Sequence, residues 1–159
     1  MSGKTKYPLR GVAVSLNTPF DDSGEVDFES LGRCIEMHLA EGACGFLSPA
    51  QAGEVNALRF EERVAMIRFI QERVRGRGLF IAGATSPDEK DSFRTAEAAL
   101  AAGCEAVLVE IPANRQRDRE AALAFCRSFA SVGMPMLVIQ DLDWNGSGID
   151  VAWIVEMFE

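Results

Sequence analysis

Four carboxylates stand just past short apolar runs in this sequence: Glu54, Glu110, Asp141 and Asp143. Gathered on one face, such groups can hold Mg²⁺ or another hard divalent ion. Taken singly, Glu54 suits structural hydrogen bonds, and Asp141 and Asp143 suit turns. Lysine would offer a different chemistry, because an amine that sheds its proton attacks carbonyl carbon. Only Lys4, Lys6 and Lys90 are present, and Asp88, Glu89 and Asp91 crowd Lys90. Neighbouring carboxylates stabilise an ammonium ion, so Lys90 reads as a solvated loop charge rather than a nucleophile. Arg115, Arg117 and Arg119 fit either an anion site or a solvated surface run.

The remaining chemistry-bearing residues read as structural. Asp21-Asp22-Ser23-Gly24-Glu25 lacks the twelve-residue ligand spacing of a calcium loop and reads as a turn. His38 lies between Met37 and Leu39 and reads as a packing or helix-end residue. Cys34, Cys44, Cys104 and Cys126 form no C-x-x-C pair, which predicts reduced, mostly buried thiols in a cytoplasmic protein.

The bulk numbers narrow the partners. With 159 residues, 48% of them hydrophobic, the chain can bury one sizeable core. A formal net charge of -8 repels phosphate backbones and anionic lipid, which makes nucleic acid and membrane surfaces poor partners. No apolar run is long enough to span a bilayer, and no apolar stretch follows the basic Met1–Arg10 segment as a secretory signal would require.

These residues need elements to position them, and one pattern recurs. A helical stretch closes on glycine, and an apolar run follows within a few residues, after Gly42, Gly76, Gly103 and Gly133. The pattern predicts strands at Gly11–Leu16, Gly45–Ser48, Leu79–Gly83, Ala106–Glu110 and Met136–Gln140. It predicts helices at Phe28–Glu41 behind an Asp27 N-cap, Phe60–Arg75, Asp91–Ala102 and Arg117–Val132, with another beginning at Asp150. Leu31, Ile35 and Leu39 share one helical stripe, and Val64, Ile67 and Ile70 another. Strands apolar on both faces and alternating with helices predict a parallel sheet covered on both sides. Two α/β folds satisfy this: a five-stranded doubly wound sheet, or the first five βα units of a TIM (β/α)₈-type barrel, which takes about 250 residues when complete. Length favours the first.

The motifs favour the second. Ser15-Leu16-Asn17-Thr18-Pro19-Phe20 with the acidic turn to Asp27 resembles the opening of the dihydrodipicolinate synthase and N-acetylneuraminate lyase family. Gly45 to Glu54 stands where that family has its G-T-T-G-E loop, and Ile81 to Thr85 where a strand runs into a glycine-rich turn. Ala106 to Arg115 occupies the V-V-T-P-Y-Y-N position. Leu137 to Leu142, with Gly148-Ile149-Asp150, occupies the Y-N-V-P and G-V-D positions. The resemblance implies that residues 1–159 are the N-terminal part of a single barrel domain. It also implies a cytoplasmic homo-oligomer, usually a tetramer, that acts on pyruvate or another 2-keto acid. The lysine forming the Schiff base would lie at the end of a sixth strand, beyond Glu159. No cofactor is implied, and no residues are assigned to a metal.

The departures are specific. Gln140 replaces the catalytic tyrosine, and an amide cannot transfer protons near neutral pH. Gln51 and Ala52 replace the two carboxylate-binding threonines, and Pro112 and Ala113 the paired tyrosines. Asn145-Gly146-Ser147 stands where the family places an arginine. The candidate site is therefore Gln140 at the catalytic position, with Thr18, Gln51, Ala52, Glu110 and Asp141 around the substrate. Three functions remain open: a Schiff-base lyase or synthase with a changed proton relay, a barrel that binds or assembles without turnover, and a metal-assisted enolate lyase.

Overall fold

The computed structural model describes residues 10–141 and 148–157. The elements run β1 (Ala13–Ser15), α1 (Phe28–Ala40), β2 (Gly45–Ser48), two 3₁₀ turns (Gln51–Gly53 and Val55–Ala57), α2 (Phe60–Val74) and β3 (Leu79–Gly83). They continue with α3 (Glu89–Ala101), β4 (Ala106–Glu110), α4 (Arg119–Ala130), β5 (Met136–Gln140) and α5 (Val151–Met157). The strands after β1 match the sequence reading residue for residue, because each is an apolar run bounded by a glycine-closed helix before it and a polar turn after it. Gly42, Gly76, Gly103 and Gly133 all take the left-handed conformation, with φ between 80° and 87°. Asp27 caps α1 through its Ser30 N–H, 2.9 Å away. Two helix starts differ from expectation. Asp88 caps α3 through the Lys90 N–H, so that helix begins at Glu89. Asp118 caps α4 through the Ala121 N–H, so Arg117 stands outside the helix.

Strand order separates the two candidate folds. The five strands lie β1-β2-β3-β4-β5, each parallel to the next. A doubly wound sheet must reverse its order at a switch point, and this one never does. Right-handed crossovers that always step in one direction put every helix on the same side. The packing agrees. Phe46, Phe80 and Ala82 face Leu31, Ile35, Met66, Ile67 and Ile70 of α1 and α2. Val107, Val109, Leu137 and Ile139 face Phe125, Cys126 and Phe129 of α4. The alternate residues, Leu47, Leu79, Ile81, Ala106, Leu108, Met136 and Val138, form a third cluster made of strand residues alone. The expectation of helices on both faces is thereby corrected: one face carries helices, and the other is the concave inner wall of a barrel arc, apolar because a barrel packs that wall against its own strands. The doubly wound alternative is excluded.

Among the described residues, the side-chain oxygens of Ser48 and Thr95 are buried without a hydrogen-bond partner. A buried hydroxyl with no partner gives up its hydration for nothing, so its removal relieves a cost. Thr95→Val keeps the shape and is expected to raise stability by about 1 kcal/mol, read as a higher urea midpoint. A loss of similar size would show that the hydroxyl has found a partner.

Candidate functional site

The site lies at the C-terminal ends of the strands. β2 ends at Ser48, and the chain turns through the two 3₁₀ turns, with Glu54 between them in the left-handed region at φ 55°. That loop is held tightly against the segment that follows β1. The Thr18 hydroxyl donates to the Gly53 carbonyl at 2.6 Å, and a Cβ on Gly53 would fall 2.7 Å from the Leu16 carbonyl oxygen. β3 runs on to Thr85, whose Oγ1 accepts the Glu110 N–H at 3.0 Å and so ties the end of β4 to the β3 loop. Glu110 pairs in register with Gln140 at the end of β5. Both follow the alternation of the inner wall, through Leu108 and Val138, and so belong to the concave side.

A cavity of about 370 Å³ opens there, lined among others by Gln51, Asn56, Thr85, Glu110 and Asn114. A narrower recess beside it brings Gln51, Thr85 and Glu110 together with Gln140. Burial first, and the charge of Asp141 second, hold the Glu110 carboxyl above the usual carboxylate range. Glu110 is the one titratable side chain among the described residues lining these two spaces.

The structure thus gathers Gln51, Glu110 and Gln140, and separates the other expected residues from them. Ala52 is exposed and lines neither space. The Thr18 hydroxyl is committed to the loop. Asp141, one residue past Gln140, accepts the Ile149 N–H at 3.0 Å and lines a different cavity, with Leu137, Ile139 and Ile149. Glu54 is exposed and lines neither rim space. Asp143, the Asn145-Gly146-Ser147 segment, Lys4 and Lys6 lie outside the described residues. No group of three or more His, Cys, Asp or Glu that can hold a metal ion forms among the described residues.

Other residues resolve as structure. Lys90 is exposed in the first turn of α3. Arg115 pairs with Glu89 at 2.8 Å and lies over the Phe125 ring, while Arg119 pairs with Glu120 and Glu156. Asp21 accepts from the Ser23 and Glu25 amides and closes a turn. Cys104 and Cys126 are buried, and burial pushes the Cys104 thiol up to about 12, which makes it inert. No helix among the described residues is long and apolar enough to cross a membrane. Sequence reasoning missed Asn56 and Asn114 as lining residues. Both are amides in the loops after β2 and β4, and the general rule that such loops carry the site would have found them.

A one-directional parallel arc, helices outside and a polar cavity at the strand C-termini, defines part of an α/β barrel of the (β/α)₈ type. Residues 8–156 match the family model described as "Dihydrodipicolinate synthetase family", and the chain belongs to that family. It is 30% identical to the 4-hydroxy-tetrahydrodipicolinate synthase of Pseudomonas aeruginosa over 131 residues, covering 82% of this chain and 45% of that protein. The dihydrodipicolinate synthase structure from Aquifex aeolicus superposes with a TM-score of 0.84 at 26% identity, covering 92% of this chain and 50% of that one. YagE from E. coli K12, a member of the dihydrodipicolinic acid synthase family solved in complex with pyruvate, superposes with a TM-score of 0.84 at 18% identity, covering 92% and 50%. The chain spans about half the length of the curated relatives it matches.

Proposed function

We propose that the full-length protein containing these residues is a carbon–carbon lyase or synthase of the aldolase type. Its substrate is pyruvate or another small 2-keto acid, carried as a Schiff base on a lysine outside these residues. The observation that carries this reading is the placement of the polar cavity at the strand C-termini of a chain matched to the family almost end to end. Gln51 and Gln140 would then orient the keto acid by hydrogen bonding, with Glu110 beside them. The same membership supports a homo-oligomeric assembly.

Borohydride reduction of the full-length protein in the presence of pyruvate is expected to leave one covalently reduced adduct, read by mass spectrometry. The second reading, a barrel that binds its ligand without turnover, is favoured by Gln140, where the family expects a hydroxyl. Saturable binding of a 2-keto acid with no adduct from any of a panel of such acids would establish it instead.

A further inference from the structure

We propose that Glu110 is the proton-transferring residue of this site, supplying from the end of β4 the acid–base function that Gln140 cannot supply from the end of β5. This rests on the Schiff-base reading above.

Neighbouring strands lie about 4.8 Å apart, and Glu110 and Gln140 are direct register partners on the same face. A glutamate side chain spans that gap, so its carboxyl can serve the space above either strand end. Gln51 and Thr85 close the same recess. The Thr85 hydroxyl holds the Glu110 backbone at 3.0 Å and leaves the carboxyl uncommitted: among the described residues, nothing donates a hydrogen bond to it. Gln51, Thr85, Asn114 and Gln140, which line the space with it, are neutral, and the nearby charge is Asp141, one residue past β5, whose carboxylate is turned to the Ile149 amide. A partly desolvated carboxyl beside another carboxylate releases its proton later than an ordinary glutamate, which brings it nearer the pH at which general acid–base catalysis is efficient.

The step balances within the site. The Glu110 carboxylate takes the proton of the substrate hydroxyl as the adjacent carbon–carbon bond breaks. The bonding pair moves into the protonated imine, giving an enamine and an aldehyde. The Glu110 carboxylic acid then returns a proton to the enamine carbon. With pyruvate alone, the same group removes a C3 proton from the imine and returns one from solvent.

Exchange of pyruvate C3 protons in D₂O, followed by NMR, reads this step directly, while borohydride trapping reads the imine separately. Glu110→Gln in the full-length protein is expected to retain trapping and to lose exchange by about 100-fold or more. Glu110→Asp is expected to recover part of the rate. The native rate should climb as pH rises through an ionisation above the ordinary glutamate value of about 4.3, and Glu110→Gln should lose that limb. Trapping with exchange within about threefold of native in Glu110→Gln would overturn the proposal. If Glu110→Gln fails to trap, Glu110→Asp decides: a native rate with an unmoved pH profile overturns the proposal, and a slowed rate with a shifted profile supports it. Failure of the native protein to trap any keto acid would instead overturn the Schiff-base reading, and this proposal with it.

Discussion

Gly83→Ala is expected to destabilise the protein by about 3 kcal/mol or more, the upper end of overpacking costs, read as a large fall in the urea midpoint. A Cβ on Gly83 would sit 1.7 Å from the Pro49 carbonyl oxygen and 2.9 Å from its carbon. The obstacle is backbone, so no rotamer change relieves it. Nor can Pro49 step aside freely, because it follows Ser48 directly, and Ser48 pairs with Ala82 in the β2–β3 ladder. Relief requires prising the end of β2 away from β3, which would also displace the loop carrying Gln51. Gly24→Ala is the control. Its φ of 84° costs backbone strain, but nothing lies within 4 Å of the new methyl, so about 1 kcal/mol is expected. If the two substitutions lowered stability equally, the close approach of β3 to Pro49 would be refuted.

Phe129→Ala is expected to cost about 3–5 kcal/mol. Phe129 is 1% exposed, and its ring lies 4.7 Å from that of Phe93 on α3 and 5.3 Å from that of Phe125 on its own helix. Truncation removes the burial of a whole ring. It also leaves a void between α3 and α4 that two neighbouring aromatic rings are too rigid to fill. Domain stabilities of about 5–15 kcal/mol make this a large fraction of the total. Met37→Ala, at a residue 54% exposed, should change the urea midpoint little. Equal effects at Phe129 and Met37 would show that the α3–α4 seam is not packed as described.

The elements were legible because their signals are local. Glycine closing a helix and an apolar run entering the sheet lie within ten residues of one another, and the strand bounds after β1 followed directly. β1 is shorter than Gly11–Leu16 because its ladder with β2 covers only Ala13–Ser15. Helix starts slipped by two residues where an aspartate further along, or closer in, made the better cap, a competition settled by backbone geometry. The motif order identified the family, and the rule that barrel sites sit past strand ends brought Gln51, Glu110 and Gln140 into one list.

Strand order was beyond periodicity and length, and only the family motifs pointed to the barrel. Each βα unit looks alike whether its crossover steps always one way or reverses, and only the assembled sheet showed a monotonic arc with helices on one face. Long-range contacts likewise decided which polar residues were free for chemistry. Thr18 is spent on Gly53, 35 positions away. Arg115 is spent on Glu89, 26 positions away. Asp141 is turned to the Ile149 amide. Composition and spacing determine which side chains reach the rim of the barrel; their partners there come from distant segments, and those partnerships leave Glu110 as the titratable group in the cavity.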